Sequence, residues 1–143
     1  METDTKYYYR YFTSRANVER IEFKVKASND VHIALSPTSS DHSPMYEIVI
    51  SGWKNRKSAI RRCKQCKNMV VVKTPKFLSP AEYRGFWITY DLATGMLEVG
   101  RKGHADGFLS WTDPSPVDVK YLGYSTGWGS TGKFKFCKIC KYD

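Results

Sequence analysis

Two short pairs of cysteines are the most chemically pointed residues in this 143-residue chain. Cys63-Lys-Gln-Cys66 and Cys137-Lys-Ile-Cys140 are C-x-x-C knuckles, and they hold all four of its cysteines. Two knuckles can supply four thiolates to one tetrahedral Zn²⁺, and flanking lysines favour the thiolate. Such a site is saturated, so its role would be structural. The pairs lie far apart, and a C-terminal strand beside a strand over 58–63 would bring them together. The same cysteines also suit disulfides, for example between the two pairs, or four reduced thiols.

A second stretch with chemical potential is STGWGSTG (125–132), where Gly127, Gly129 and Gly132 spell G-x-G-x-x-G. A nucleotide cradle of that spacing must open a helix and be followed by an acidic residue about twenty positions later. The tail KFKFCKICKYD that follows alternates like a strand and ends first. No nucleotide cofactor is therefore expected. The glycines read as a hairpin turn with Trp128 at its tip or packed back, and Trp128, Ser130 and Thr131 are the residues there that could touch a ligand. The three histidines, His32, His42 and His104, form no H-E-x-x-H, and no serine or cysteine sits in a nucleophile elbow. Catalysis is not expected.

Charge supplies a third signal. Lysine and arginine number 23 against 14 acidic residues, a net +9. The excess clusters in KNRKSAIRRCKQCK (54–67) and in the lysine-rich tail. Lys54, Arg56, Lys57, Arg62, Lys64 and Lys67 form a candidate polyanion site for nucleic acid or sulfated glycan, or else a solvated hairpin. No RNA-binding signature accompanies them. No apolar run reaches membrane-span length. METDTKYYYRYF has no signal-peptide core, so a mature secreted form and a cytoplasmic protein both remain open.

The elements that must position these residues are strands. IEFKVKA (21–27), VHIALS (31–36), YEIVIS (46–51), MVVVKT (69–74), GFWITYD (85–91), GMLEVGR (95–101) and VKYLGYS (119–125) alternate or are rich in β-branched and aromatic residues. SPTSSDHSP (36–44) is a polar loop, and LSPAEYRG (78–85) suits one short helical turn. The expected fold is all-β: an antiparallel β-sandwich of jelly-roll type, with residues 1–143 as a single domain.

The run YEIVISGW, with EYRGFWI (82–88), WTDP (111–114) and STGWGSTG, resembles the farnesoic acid O-methyltransferase domain family over about residues 21–136. The resemblance implies methyl transfer by its name, and a module that also occurs in larger extracellular proteins. It does not supply the four cysteines. Methyl transfer to farnesoic acid needs an S-adenosylmethionine pocket and an apolar tunnel, and a small sandwich with polar outer faces has no obvious room for either. The hairpin GFWITYD–LATG–MLEVGRKG is similar to one found in concanavalin-like lectins. VHIALS, YEIVIS and SGWKNRKSAIRR loosely resemble three adjacent galectin strands, although no Asn-Pro-Arg follows His32. The leading expectation is thus a non-enzymatic, lectin-like module for glycans or glycoproteins. Its candidate residues are His32, Ser36, Glu47, Ser51, Trp53, Asn55, Arg61 and Trp128. Polyanion binding through 54–67 is second and methyl transfer third. Dimerisation would give a small lectin avidity.

Overall fold

The computed structural model describes residues 1–12 and 20–137. Eleven strands make two antiparallel sheets. In chain order they are β1 (Arg10–Tyr11), β2 (Arg20–Ala27), β3 (Val31–Ser36), β4 (Tyr46–Ser51), β5 (Lys57–Arg61), β6 (Asn68–Lys73), β7 (Arg84–Asp91), β8 (Met96–Arg101), β9 (Leu109–Thr112), β10 (Tyr121–Thr126) and β11 (Gly132–Phe136). One sheet runs β1-β10-β3-β4-β5-β6 and the other β11-β2-β7-β8-β9. This is the antiparallel jelly-roll sandwich that the alternation predicts.

The two inner faces make the core. Val31, Ile33, Leu35, Tyr46, Ile48, Ile50 and Ile60 of the first sheet meet Phe23, Val25, Phe86, Ile88, Leu97, Val99 and Phe134 of the second. Burying each such side chain stabilises the fold by about 1.5–3 kcal/mol. β2 keeps the half-buried pattern of its sequence, with Ile21, Phe23, Val25 and Ala27 inward. β3 and β4 depart from it, because every residue in both is buried. Their outer face is roofed by the N-terminal segment. Tyr9 and the partly buried Tyr7 and Tyr11 pack there with Ala34 and Met45.

Three sequence expectations change. STGWGSTG is not a hairpin, because β10 and β11 belong to different sheets and the loop carries the chain from one to the other. Residues 78–85 form no helical turn. Ser79 Oγ accepts from the Ala81 and Glu82 N–H groups instead, and the chain enters β7 at Arg84. β11 pairs with β2 in the sheet opposite β5, so β11 does not lie beside the strand that leads into the first knuckle.

A buried tether closes the β9–β10 connection. The Tyr46 hydroxyl donates to Asp113 Oδ2 at 2.7 Å and accepts from the Val117 N–H at 3.1 Å. Asp113, from WTDP, also takes Arg62 Nε at 2.8 Å and the Ser115 N–H at 2.8 Å. Burial alone would raise its carboxyl, but the bonds from Arg62, Tyr46 and Ser115 hold it below the ordinary value. Tyr46→Phe keeps the ring, removes one donor to Asp113 and leaves the Val117 N–H without its acceptor. It is expected to lower unfolding free energy by about 1–3 kcal/mol with an unchanged denaturant slope. Urea melts of the two proteins check this.

Candidate functional site

Three turns meet at one end of the six-stranded sheet. Val31 at the start of β3 lies opposite Thr126 of β10 and Ile50 of β4, so the connections leaving these strands gather there. Between them is a cleft of about 560 Å³. Asn29 and Asp30 line it from the β2–β3 turn, Trp53, Lys54 and Arg56 from the β4–β5 turn, and Trp128 from the crossover. His32, Val49 and Arg61 line it from the sheet.

The β4–β5 turn has an uncommon backbone. Gly52–Asn55 closes one helical turn, with the Arg56 N–H on the Gly52 carbonyl at 2.9 Å. Trp53, Lys54 and Asn55 have φ of 50°, 62° and 63°, so the turn is wound left-handed without glycine at those positions. Each such residue costs roughly 1–2 kcal/mol. Asn55 fixes the turn from outside, since its side-chain amide exchanges two hydrogen bonds with the Leu78 backbone at 2.9 and 3.1 Å. Trp128 also has a positive φ of 52°. Both tryptophans are left in solvent, Trp53 at 37% and Trp128 at 62% exposure.

Beneath the cleft lies a charged network in which Glu47 and His32 are buried. The Glu47 carboxylate accepts from both the Tyr7 and the Tyr9 hydroxyls, the latter at 2.5 Å. It also takes Arg61 Nη1 at 3.0 Å and the Gln65 N–H at 2.9 Å. His32 bonds Asp30 through Nε2 at 3.1 Å and turns Nδ1 toward Glu47 at 3.9 Å. Burial would raise the Glu47 carboxyl, but the contacts with His32, Tyr7, Tyr9 and Gln65 bring it down to about 2. Burial would lower His32, but the bond to Asp30 and the facing Glu47 carboxylate raise it overall. Burial and then Glu47 push the Tyr7 and Tyr9 hydroxyls upward.

The glycan-candidate residues thus separate. Trp53, Trp128, Arg61 and His32 meet at the cleft. Glu47 lies below it and braces His32 and Arg61. Ser36 is buried, bonded to the Ser40 carbonyl, and Ser51 is buried in a hydroxyl network with Ser58 and Thr74. Neither serine reaches solvent, and Asn55 is occupied with Leu78. The polyanion candidates also differ in what engages them. Arg62 is paired with Asp113 and Lys64 lies against Tyr7 and Asp41, while Lys57 and Lys67 are exposed and Lys54 and Arg56 line the cleft. Ser28, Asn29, Asp30, Val49, Lys54 and Arg56 are the cleft residues that the sequence did not single out for a glycan.

The cysteine chemistry resolves in part. Cys63 and Cys66 form a disulfide with each other, within a pair rather than between pairs. Disulfide sulfurs are not thiolate ligands, so this pairing fits the disulfide alternative, and a zinc site is not shown. Cys137 donates its N–H to the Glu22 carbonyl, and Cys140 lies outside the described residues. Among the described residues no group of three or more His, Cys, Asp or Glu is placed to hold a metal ion. No helix among them is long and apolar enough to cross a membrane.

A family model described as farnesoic acid O-methyl transferase matches residues 3–139. No curated protein matches the chain in sequence. Solved structures similar in fold include a galectin of Caenorhabditis elegans, with TM-score 0.59 and 8% identity, over 94% of this chain and 95% of the galectin. A native glycosidic hydrolase has TM-score 0.59 and 14% identity, over 94% of this chain and 74% of its own. The β-glucanase of Bacillus licheniformis has TM-score 0.59 and 11% identity, over 88% and 67%.

The network has a pH signature. The carboxyl of Glu47 lies lower when folded than its ordinary 4.5, so it contributes stability that is complete above pH 4.5 and disappears as the pH falls through about 2. His32, raised on folding, contributes below its ordinary 6.5 and loses that as the pH rises through its folded value. Unfolding free energy measured against pH is expected to drop between 4.5 and 2. Glu47→Gln is expected to flatten that drop, and an equally steep profile in the variant would contradict the assignment.

Proposed function

This chain belongs to the farnesoic acid O-methyltransferase family, and we propose that it is a lectin-like module that binds glycans in the three-turn cleft without chemical conversion. The observation that carries this reading is the pair of exposed indoles, Trp53 and Trp128, held over a polar floor in a sandwich whose fold neighbours are a galectin and glucanases. A pyranose offers an apolar ring face for an indole and hydroxyls for hydrogen bonds, the mixed character that such a cleft suits. Asn29, Asp30 and Arg61 supply the polar partners.

The charges favour binding over hydrolysis. Glycoside cleavage ordinarily uses two carboxyl groups flanking the bond, one of them a proton donor with a raised pKa. Among the described residues Asp30 is the one acidic residue lining the cleft, and it is engaged by His32. Glu47, the nearest other carboxylate to His32, is shifted down and covered. Methyl transfer ranks lower still, since an open polar cleft is a poor match for a farnesyl chain.

Polyanion binding is the second reading, and a lysine ladder on the other sheet favours it. Lys26 of β2 lies directly opposite Lys133 of β11, and Lys24 opposite Lys135. Like charges opposite each other repel. Lys26 and Lys135 both set their ammonium groups over the Tyr83 ring, at 4.8 and 4.5 Å.

A glycan array at physiological salt tests the main reading, and a ligand found there can be titrated. Trp53→Ala is expected to weaken that ligand about tenfold or more, roughly 1.4 kcal/mol, with little change in melting temperature. Unchanged affinity in both Trp53→Ala and Trp128→Ala would rule out the cleft.

A further inference from the structure

We propose that the sugar this cleft takes carries an acidic group, a carboxylate or a sulfate ester, seated against Arg56 and Lys54 on the left-handed turn. The inference rests on the glycan-binding reading of the same cleft and narrows its ligand class.

Charge accounting within the cleft points there. Arg61 is matched by Glu47 at 3.0 Å, and His32 by Asp30 at 3.1 Å. Lys54 and Arg56 have no carboxylate partner among the described residues. Two cations are therefore left over at the rim of one concave site. Arg56 uses Nε on the Trp53 carbonyl at 2.8 Å, which orients its guanidinium and leaves both Nη groups without a described partner. Arg61 uses Nε on Asn68 and Nη1 on Glu47, which leaves Nη2. It also sits 5.6 Å from the centre of the Trp53 ring. Guanidinium N–H pairs match the planar oxygens of a carboxylate or sulfate, and such charge-assisted bonds are about twice as strong as neutral ones.

The backbone supports the same residues. Lys54 is itself in the left-handed region, inside a strained run that the Asn55–Leu78 bonds hold. Strain of this kind concentrates at ligand sites, where the surroundings over-determine it. Here it sets Trp53, Lys54 and Arg56 along one wall, an apolar face beside two cations. A neutral sugar would use the indole and leave both cations unmatched.

The test uses the intact chain and matched saccharide pairs at fixed ionic strength. One pair is an oligosaccharide of uronic acid and the same oligosaccharide with its carboxylates reduced to hydroxymethyl groups. The other is a sulfated saccharide and its desulfated form. At least one acidic member is expected to bind about tenfold tighter than its neutral partner. Which pair shows the preference tells carboxylate from sulfate. The exposed double variant Lys54→Gln/Arg56→Gln is expected to erase the preference, so that within that variant the acidic member binds no tighter than its neutral partner. Equal affinity within both pairs would overturn the inference and leave the glycan reading standing. No binding by any saccharide, here or on the array, would remove the glycan reading as well. A preference that survives the double variant but is lost in Lys26→Gln/Lys133→Gln would place the anion on the lysine ladder and overturn the proposal.

Discussion

Asp30 ties the cleft end of the sandwich together. Its N–H donates to the Ser51 carbonyl at 3.0 Å and its own carbonyl accepts from the Gly127 N–H at 3.1 Å. One residue thereby joins the turn that carries Trp53 to the crossover that carries Trp128. Its carboxylate takes His32 Nε2 and the Asn29 amide. The residue pays for these links with a left-handed φ of 51°. Gly52 completes the arrangement, because a Cβ there would come within 2.9 Å of Val49 Cγ1 and 3.2 Å of Asp30 Oδ2. Only a bare backbone lets the left-handed turn start so close to the pin.

The rest of the site follows from where charge is allowed to be. Glu47, His32 and Arg61 lie side by side on a sheet face that open solvent could otherwise reach. The tyrosines of the N-terminal segment close that face. A buried charge is tolerated when it is paired and hydrogen-bonded, and Glu47 meets that condition with four donors and a facing histidine. The outer face of β3 and β4 is consequently filled by the protein's own hydroxyls. Open, partly polar surface remains at the end of the sheet, where the turns meet.

The strands were legible because period-two alternation is local and shows in six residues. VHIALS and YEIVIS became strands at the expected bounds, yet the burial of both their faces was not legible. Their cover, Tyr7 to Tyr11, comes from a part of the chain without strong strand patterning. The same limit explains the crossover: STGWGSTG has turn chemistry, but only long-range pairing decides that β10 and β11 join different sheets. It explains the cysteines too, since C-x-x-C spacing fits a knuckle and a disulfide alike. In the site, Trp53, Trp128, His32 and Arg61 were legible by residue type. Asp30 was not, because its work is done largely by backbone groups, and Gly-Trp-Lys-Asn gives little sign of a left-handed turn.

The left-handed turn also bears on rates. Its conformational cost is met once, when the protein folds, because the bonds between Asn55 and Leu78 that hold it are internal to the fold. A ligand contacting Trp53 would then need no loop closure, and little backbone entropy would be lost on its capture. Association at such a surface is governed by diffusion and electrostatic steering, and differences among ligands are felt mainly in how long each one stays.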